Sequence, residues 1–181
     1  LDCPYCDKSG ECKLQDFTLQ YGAAAGRFIE GKRRHPESFD DPLIVRNMER
    51  CILCTRCVRM CSGVQGASAL TVTSRGTKSF VEPFSGGRYN CEYCGNCLTV
   101  CPVGAIMSGL HRHEFRSWFI ERDVKTICSY CGVGCGFVVQ VRGNKIIRTL
   151  PKPEVGINKG ILCSKGRFGY GYVESSKRLL F

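Results

Sequence analysis

The chain of 181 residues carries 26 Lys and Arg against 16 Asp and Glu, a formal net charge of +10, and 15 cysteines. That length allows one to three small domains, and 21 Gly with 7 Pro leave a modest hydrocarbon core. The odd cysteine count speaks against a fully paired disulfide scaffold, no charged segment with a following apolar run marks a secretory signal, and no apolar stretch reaches the length of a membrane span, so a reducing cytoplasm is the expected setting.

The chain opens with Cys3, Cys6 and Cys12 in the spacing C-x2-C-x5-C. This is a metal-ligand spacing that supplies three thiols, and no spare Cys downstream provides a fourth. Leu14, Phe17 and Tyr21 at helical intervals, followed by Ala23–Ala25, predict a helix over 13–28 that stops near Gly26. Residues 30–41 are charged and interrupted by Gly31 and Pro36, which predicts a surface loop. His35 lies there beside Arg33 and Arg34 and is read as a solvated side chain rather than a substitute ligand.

The stretch from Cys51 to Cys101 organises the chain. Cys51, Cys54, Cys57 and Cys61 are spaced C-x2-C-x2-C-x3-C, and Cys91, Cys94, Cys97 and Cys101 repeat the spacing, with Pro102 following. This is the ligand pattern of a bacterial-type ferredoxin with two [4Fe–4S] clusters, in which the fourth Cys of each run ligates the other cluster. The expected sets are therefore Cys51, Cys54, Cys57 and Cys101, and Cys91, Cys94, Cys97 and Cys61. Three thiolates two residues apart wrap three corners of one cube. The fourth falls on the helix leading away. Zinc favours two separated C-x2-C pairs, and loop cysteines at this density cannot all form unstrained disulfides. Between the runs, residues 69–74 and 79–82 read as a hairpin turning near Arg75-Gly76.

Residues 109–125 carry no Cys and read as a linker. His111 and His113 lack further ligands nearby and are taken as polar linker residues. Trp118 and Phe119 are expected to pin the linker to a neighbouring domain. A new unit begins at Thr126. Cys128, Cys131 and Cys135, with Cys163 after 27 residues, give another set of four ligands. Phe137–Arg142 and Lys145–Leu150 flank Gly143-Asn144, a type I′ hairpin signal that returns the chain towards Cys163.

The basic excess suits this content. An oxidised [4Fe–4S] core with four thiolates carries about −2, and four such sites, one of them with a neutral ligand, lower the net charge from +10 to about +3. The remaining different-class alternative is a basic zinc-binding module acting on nucleic acid.

Two resemblances follow from these motifs. The Cys3, Cys6 and Cys12 segment resembles the His/Cys3 cluster motif, H-x3-C-x2-C-x5-C, of the large iron–sulfur subunit of respiratory complex I, of NAD-linked hydrogenases and of NAD-dependent formate dehydrogenases. The motif's His falls two residues before Leu1, so the chain is expected to be a fragment. The segment Ile127–Cys135 together with Cys163-Ser-Lys165-Gly166 resembles the iron–sulfur domain of molybdopterin oxidoreductases, formate dehydrogenases above all. In that family the Lys of C-x-K-G lies between cluster and pterin, and Lys165 occupies its place.

The resemblance implies an α+β chain of small iron–sulfur domains in series: 1–41 with the truncated His/Cys3 site, 42–108 ferredoxin-like, 109–125 linker, and 126–181 of the molybdopterin-oxidoreductase type. It implies three to four [4Fe–4S] clusters, an electron-relay role for Lys165, and no substrate-converting or catalytic residue in this chain. The implied partners are a flavin/NAD-binding iron–sulfur subunit, with FMN and NAD, and a downstream molybdopterin catalytic domain with Mo or W. Neither nucleic acid nor a membrane span is expected. The leading expectation is the electron wire of an NAD-linked formate dehydrogenase or CO2 reductase. The alternative is the equivalent subunit of complex I, an NAD-linked hydrogenase or an electron-bifurcating complex.

Overall fold

A computed structural model describes residues 1–23, 25–32, 34–35, 37–38 and 41–179. After the first thiols, helix α1 spans Lys13–Tyr21 and ends at Gly22, whose N–H bonds the Thr18 carbonyl at 2.9 Å. It stops well short of the expected Phe28. None of its residues is buried, so no packed face offsets the cost of continuing a helix through Gly22. Ala24 lies outside the described residues, as do Arg33 and Pro36 of the expected loop.

That loop contains a short strand, β1 (Glu37–Ser38), which pairs antiparallel with β2 (Ile44–Asn47). The other edge of β2 pairs with β5 (Ile106–Ser108), Ile44 facing Ser108 and Arg46 facing Ile106. The strands entering and leaving the cysteine repeat therefore close on each other. Between them lie two short helices, α2 (Arg56–Arg59), continued by one wide π turn at Met60–Val64, and α3 (Asn96–Val100). The expected hairpin is present as β3 (Leu70–Thr73) and β4 (Phe80–Pro83), with Gly76–Lys78 in its turn. The core of this unit holds Ile44, Leu70, Val81, Val103 and Ile106, together with Cys57, Cys97 and Cys101. Its thiols thus sit where a larger domain keeps hydrocarbon.

A second sheet has the order β6 (Arg122–Ile127), β7 (Gly136–Arg142), β8 (Lys145–Leu150). The two-residue β7–β8 turn carries Gly143 at φ 59°, but Asn144 is not left-handed, so the turn follows the II′ pattern with Gly first rather than the expected type I′. Strand β6 takes in residues 122–125, which the sequence assigns to the linker. Every residue of β6 is exposed, so it lacks the alternation that marks a half-buried strand, and backbone pairing with β7 alone defines it. Helix α4 (Ser164–Phe168) follows Cys163. Among the described residues, no helix is long and apolar enough to cross a membrane.

The units pack on one another. Asp7, 4% exposed, accepts the backbone N–H of His113 at 3.2 Å and pairs with Arg116 at 3.4 Å. Arg116 also donates to the Cys6 carbonyl, and Ser117 Oγ donates to the Ser9 carbonyl at 2.9 Å. Trp118 lies over Gly10, and the Arg142 guanidinium stands 5.0 Å from the Phe119 ring. Glu11 pairs with Arg148 of β8. Across the next junction, Asn96 is 1% exposed and exchanges two hydrogen bonds with the backbone of Leu162, each 3.4 Å.

Candidate iron–sulfur sites

The two loops of the repeat have matching backbones. Leu53 and Thr55 adopt φ 54° and 58°, and Tyr93 and Gly95 adopt 52° and 69°. These left-handed residues turn N–H groups inward: Leu53 donates to Cys51 Sγ and Tyr93 to Cys91 Sγ, both at 3.4 Å. Ala69 N–H reaches Cys61 Sγ at 3.2 Å. Such donors favour a thiolate over a thiol.

The thiols collect in two places. Cys51, Cys54, Cys57 and Cys101 line one cavity, with Met48, Val81 and Val103 around them. Cys61, Cys91, Cys94 and Cys97 line a second, with Leu70 and Tyr89. In each, three thiols come from one loop and the fourth from the other repeat. Burial, then the neighbouring charge of Cys101 and those of Cys51 and Cys54, push the Cys57 thiol up to about 12. Burial pushes Cys97 up further, with Cys94, Cys57, Cys91 and Cys61 adding to it. Burial disfavours the thiolates of Cys57 and Cys97 unless a soft, strongly positive centre takes the place of their protons. An iron–sulfur core is such a centre, so the donor sets fit it. Among the described residues, no three His, Cys, Asp or Glu side chains are gathered around a point suited to one bare ion.

A further set lies beside the second sheet. Cys128 N–H bonds the Cys135 carbonyl at 2.8 Å and closes the loop in which Gly134 adopts φ 66°. Burial raises the Cys135 thiol, with Cys128, Cys131 and Cys163 as charged neighbours. Cys131 and Cys163 are exposed. Lys165, in the first turn of α4, is exposed and lines a cavity of about 140 Å³ with Cys128, Tyr130 and Tyr172.

In the opening segment, Cys6 is buried and its Sγ rests on Gly104, where any Cβ would come within 2.1 Å of it. Burial raises this thiol, and the nearby charges include Arg50, Asp2 and Cys12. Cys3 lies in the same turn, its carbonyl accepting Cys6 N–H at 3.2 Å. Arg50 holds Asp2 at 2.6 Å. The ring of His35 lies 5.2 Å from Phe80 with its Nε2 buried, not solvated as expected, and its backbone N–H donates to Glu49, so the described contacts of His35 involve none of these thiols.

Two residues lie deeper than the sequence suggests. His111 is 7% exposed rather than a polar linker residue; burial, with Arg148 and Arg167 nearby, lowers its pKa to about 4. Arg167 is equally buried. Burial lowers it to about 10, while the thiols of Cys97 and Cys94 act in the opposite direction. In a chain with 26 Lys and Arg, no sequence signal separates a buried arginine from the solvated ones.

Three family models match along the chain: the NADH-ubiquinone oxidoreductase-G iron-sulfur binding region over residues 1–27, the NADH-quinone oxidoreductase subunit 3 ferredoxin-like domain over 41–107, and the molybdopterin oxidoreductase Fe4S4 domain over 121–175. Segment by segment, the chain is similar to these three iron–sulfur families. Among curated relatives, it is 44% identical to the NADH-quinone oxidoreductase G 2 subunit of Rhizobium meliloti (strain 1021), over 99% of this chain and 21% of that protein. It is 36% identical to the NADPH-Fe(3+) oxidoreductase subunit alpha of Geobacter sulfurreducens, with 99% and 21% covered. It is 38% identical to the NADH-ubiquinone oxidoreductase 75 kDa subunit of Reclinomonas americana, with 94% and 24% covered. The chain therefore spans about a fifth to a quarter of the length of these relatives. A solved structure, that of the NAD+-reducing [NiFe]-hydrogenase in the H2-reduced state, matches with a TM-score of 0.56 and 30% identity, covering 63% of this chain and 50% of that one. The chain is made of [4Fe–4S]-binding domains.

Proposed function

We propose that this chain carries electrons, one at a time, through a multisubunit NADH- or NADPH-linked oxidoreductase, in the manner of the large iron–sulfur subunit of complex I. The observation that carries the reading is the sharing of thiols between the two repeats, Cys101 with Cys51, Cys54 and Cys57, and Cys61 with Cys91, Cys94 and Cys97. When bound, each [4Fe–4S] cluster supplies a one-electron store. The chain's own residues hold it, screen it from water and set its potential through inward N–H groups and nearby charges. Cys128, Cys131, Cys135 and Cys163 are proposed to hold a third cluster, and Cys3, Cys6 and Cys12 a further one with a ligand from outside this numbering.

The relatives named above reduce or oxidise nicotinamide according to their names, and none of them is a formate dehydrogenase. They favour the complex I or hydrogenase alternative over the formate reading that the segments around Cys128 and Lys165 suggest. A flavin/NAD subunit as electron partner is part of this proposal. So is Lys165 as a relay towards a molybdopterin site, should the whole protein hold one.

Two measurements test it. Iron analysis of the purified complex is expected to give about sixteen iron atoms for this region if four clusters fill. Anaerobic NADH or NADPH, and not formate, is expected to bleach the broad visible absorption of its clusters. Stoichiometric zinc with little iron, or reduction by formate alone, defeats the reading.

A further inference from the structure

Arg167 stands where two thiol sites meet. Its backbone N–H donates to the Cys163 carbonyl at 3.0 Å, so it springs from the loop of the last set. Its side chain runs the other way, towards the ferredoxin-like unit. The stem lies on Gly95, where a Cβ would come within 2.7 Å of Arg167 Cγ and 3.0 Å of Nε. Gly95 sits between Cys94 and Cys97. The guanidinium ends between the two units, donating to Thr99 Oγ1 and, at 3.3 Å, to the Thr149 carbonyl. Those two acceptors are neutral. Among the described residues Arg167 has no carboxylate partner, and its buried Nε has no hydrogen-bond acceptor.

A buried cation without an anion is costly, and proteins rarely keep one. Here the anions nearest to it are the thiolates of Cys94 and Cys97 once they bind a cluster. A second buried arginine is close by, but Arg148 already pairs with Glu11 and bonds Gln140 at 2.6 Å. The equivalent turn of the first repeat has Thr55 in place of Gly95, and a side chain occupies the space that the arginine stem needs.

We infer that Arg167 is the fixed counter-charge of the site formed by Cys61, Cys91, Cys94 and Cys97, and that it raises the reduction potential of that cluster above that of its pseudo-symmetric twin. Reduction adds one negative charge to a site of about −2, and a fixed positive charge in a medium of low dielectric favours the added electron. The inference rests on the ligand sets proposed above.

The test is a redox titration of the full-length protein in its complex, followed by paramagnetic resonance, with the cluster in question identified as the one that Cys91→Ser alters. In Arg167→Met, at equal iron content, the reduced-to-oxidised ratio of that cluster at a fixed potential is expected to fall about tenfold, or 59 mV for a one-electron couple. The twin held by Cys51, Cys54, Cys57 and Cys101 is expected to move less. Arg167→Lys is expected to recover most of the ratio, because it keeps the charge. An unchanged ratio in Arg167→Met, or an equal fall in the Met and Lys variants, overturns the inference. If the Met variant loses iron at this site, retention in the Lys variant and loss in Arg167→Gln show that charge is what the site requires. Loss in all three shows that shape decides, and overturns it. No change of any cluster in Cys91→Ser defeats the ligand assignment instead.

Discussion

Leu53 and Tyr93 adopt the same left-handed backbone, φ 54° and 52°, and each donates its N–H at 3.4 Å to the thiol two residues before it. The repeat in sequence is thus a repeat in hydrogen bonding, and its two halves exchange their last cysteine. Cys61→Ser is therefore expected to disturb the cluster held by Cys91, Cys94 and Cys97 and to spare the one nearest in sequence. Paramagnetic resonance of the variant distinguishes the two; a change confined to the site of Cys51, Cys54 and Cys57 contradicts crossed ligation.

The halves differ at Thr55 and Gly95. Both have positive φ, but only Gly95 carries the Arg167 stem across it. Thr55→Gly is expected to be neutral or stabilising by up to about 1 kcal/mol, since it removes left-handed strain. Gly95→Ala is expected to cost about 2 kcal/mol or more, from strain and from displacing the near end of a buried side chain. Comparing the midpoints of thermal unfolding of the two variants checks the contrast, and equal effects would show that Arg167 can move aside at little cost.

Asp7 ties the opening segment to residues 113 and 116. Asp7→Ala leaves the His113 N–H without its acceptor and takes from the partly buried Arg116 its carboxylate, leaving it the Pro4 and Cys6 carbonyls. The expected cost is about 3 kcal/mol, expressed as faster proteolysis before residue 13 and loss of the iron bound there. Protection equal to the wild type would mean that Cys6 and Glu11 hold the segment unaided.

His111 gives a pH dependence of definite sign. Its folded pKa, about 4, lies below the ordinary value of 6.5. Between these values the unfolded chain binds a proton that the folded chain refuses. The contribution of His111 is therefore complete above pH 6.5 and declines as the pH falls, the loss reaching about 3 kcal/mol by pH 4. His111→Leu is expected to flatten the stability profile over this window relative to the wild type. Parallel profiles would show that His111 charges freely in the folded chain.

Much of this arrangement was legible because cysteine spacing and turn chemistry are local. The crossing of Cys61 and Cys101 follows from ligand spacing, and Gly143-Asn144 marks its hairpin unaided. What escaped reading depends on partners distant in sequence. Strand β6 exists by pairing with β7 and has no buried face to betray it. Helix α1 stops early because nothing packs on it. His111 looks like a polar linker residue, and Arg167 like any of several cations near the ligands in sequence, until residues 94–99, 115 and 148 are placed around them.

The ties of the opening segment also order events in time. Asp7 finds its donors at 113 and 116, and Glu11 finds Arg148, 137 positions later. On the ribosome, Cys3, Cys6 and Cys12 emerge well before the surfaces that anchor them. The ferredoxin-like repeat, complete once β5 has emerged to pair with β2, can close earlier. Those three thiols therefore stay open to solvent and reagents until residue 148 has emerged, and iron delivery to them is tied to that moment.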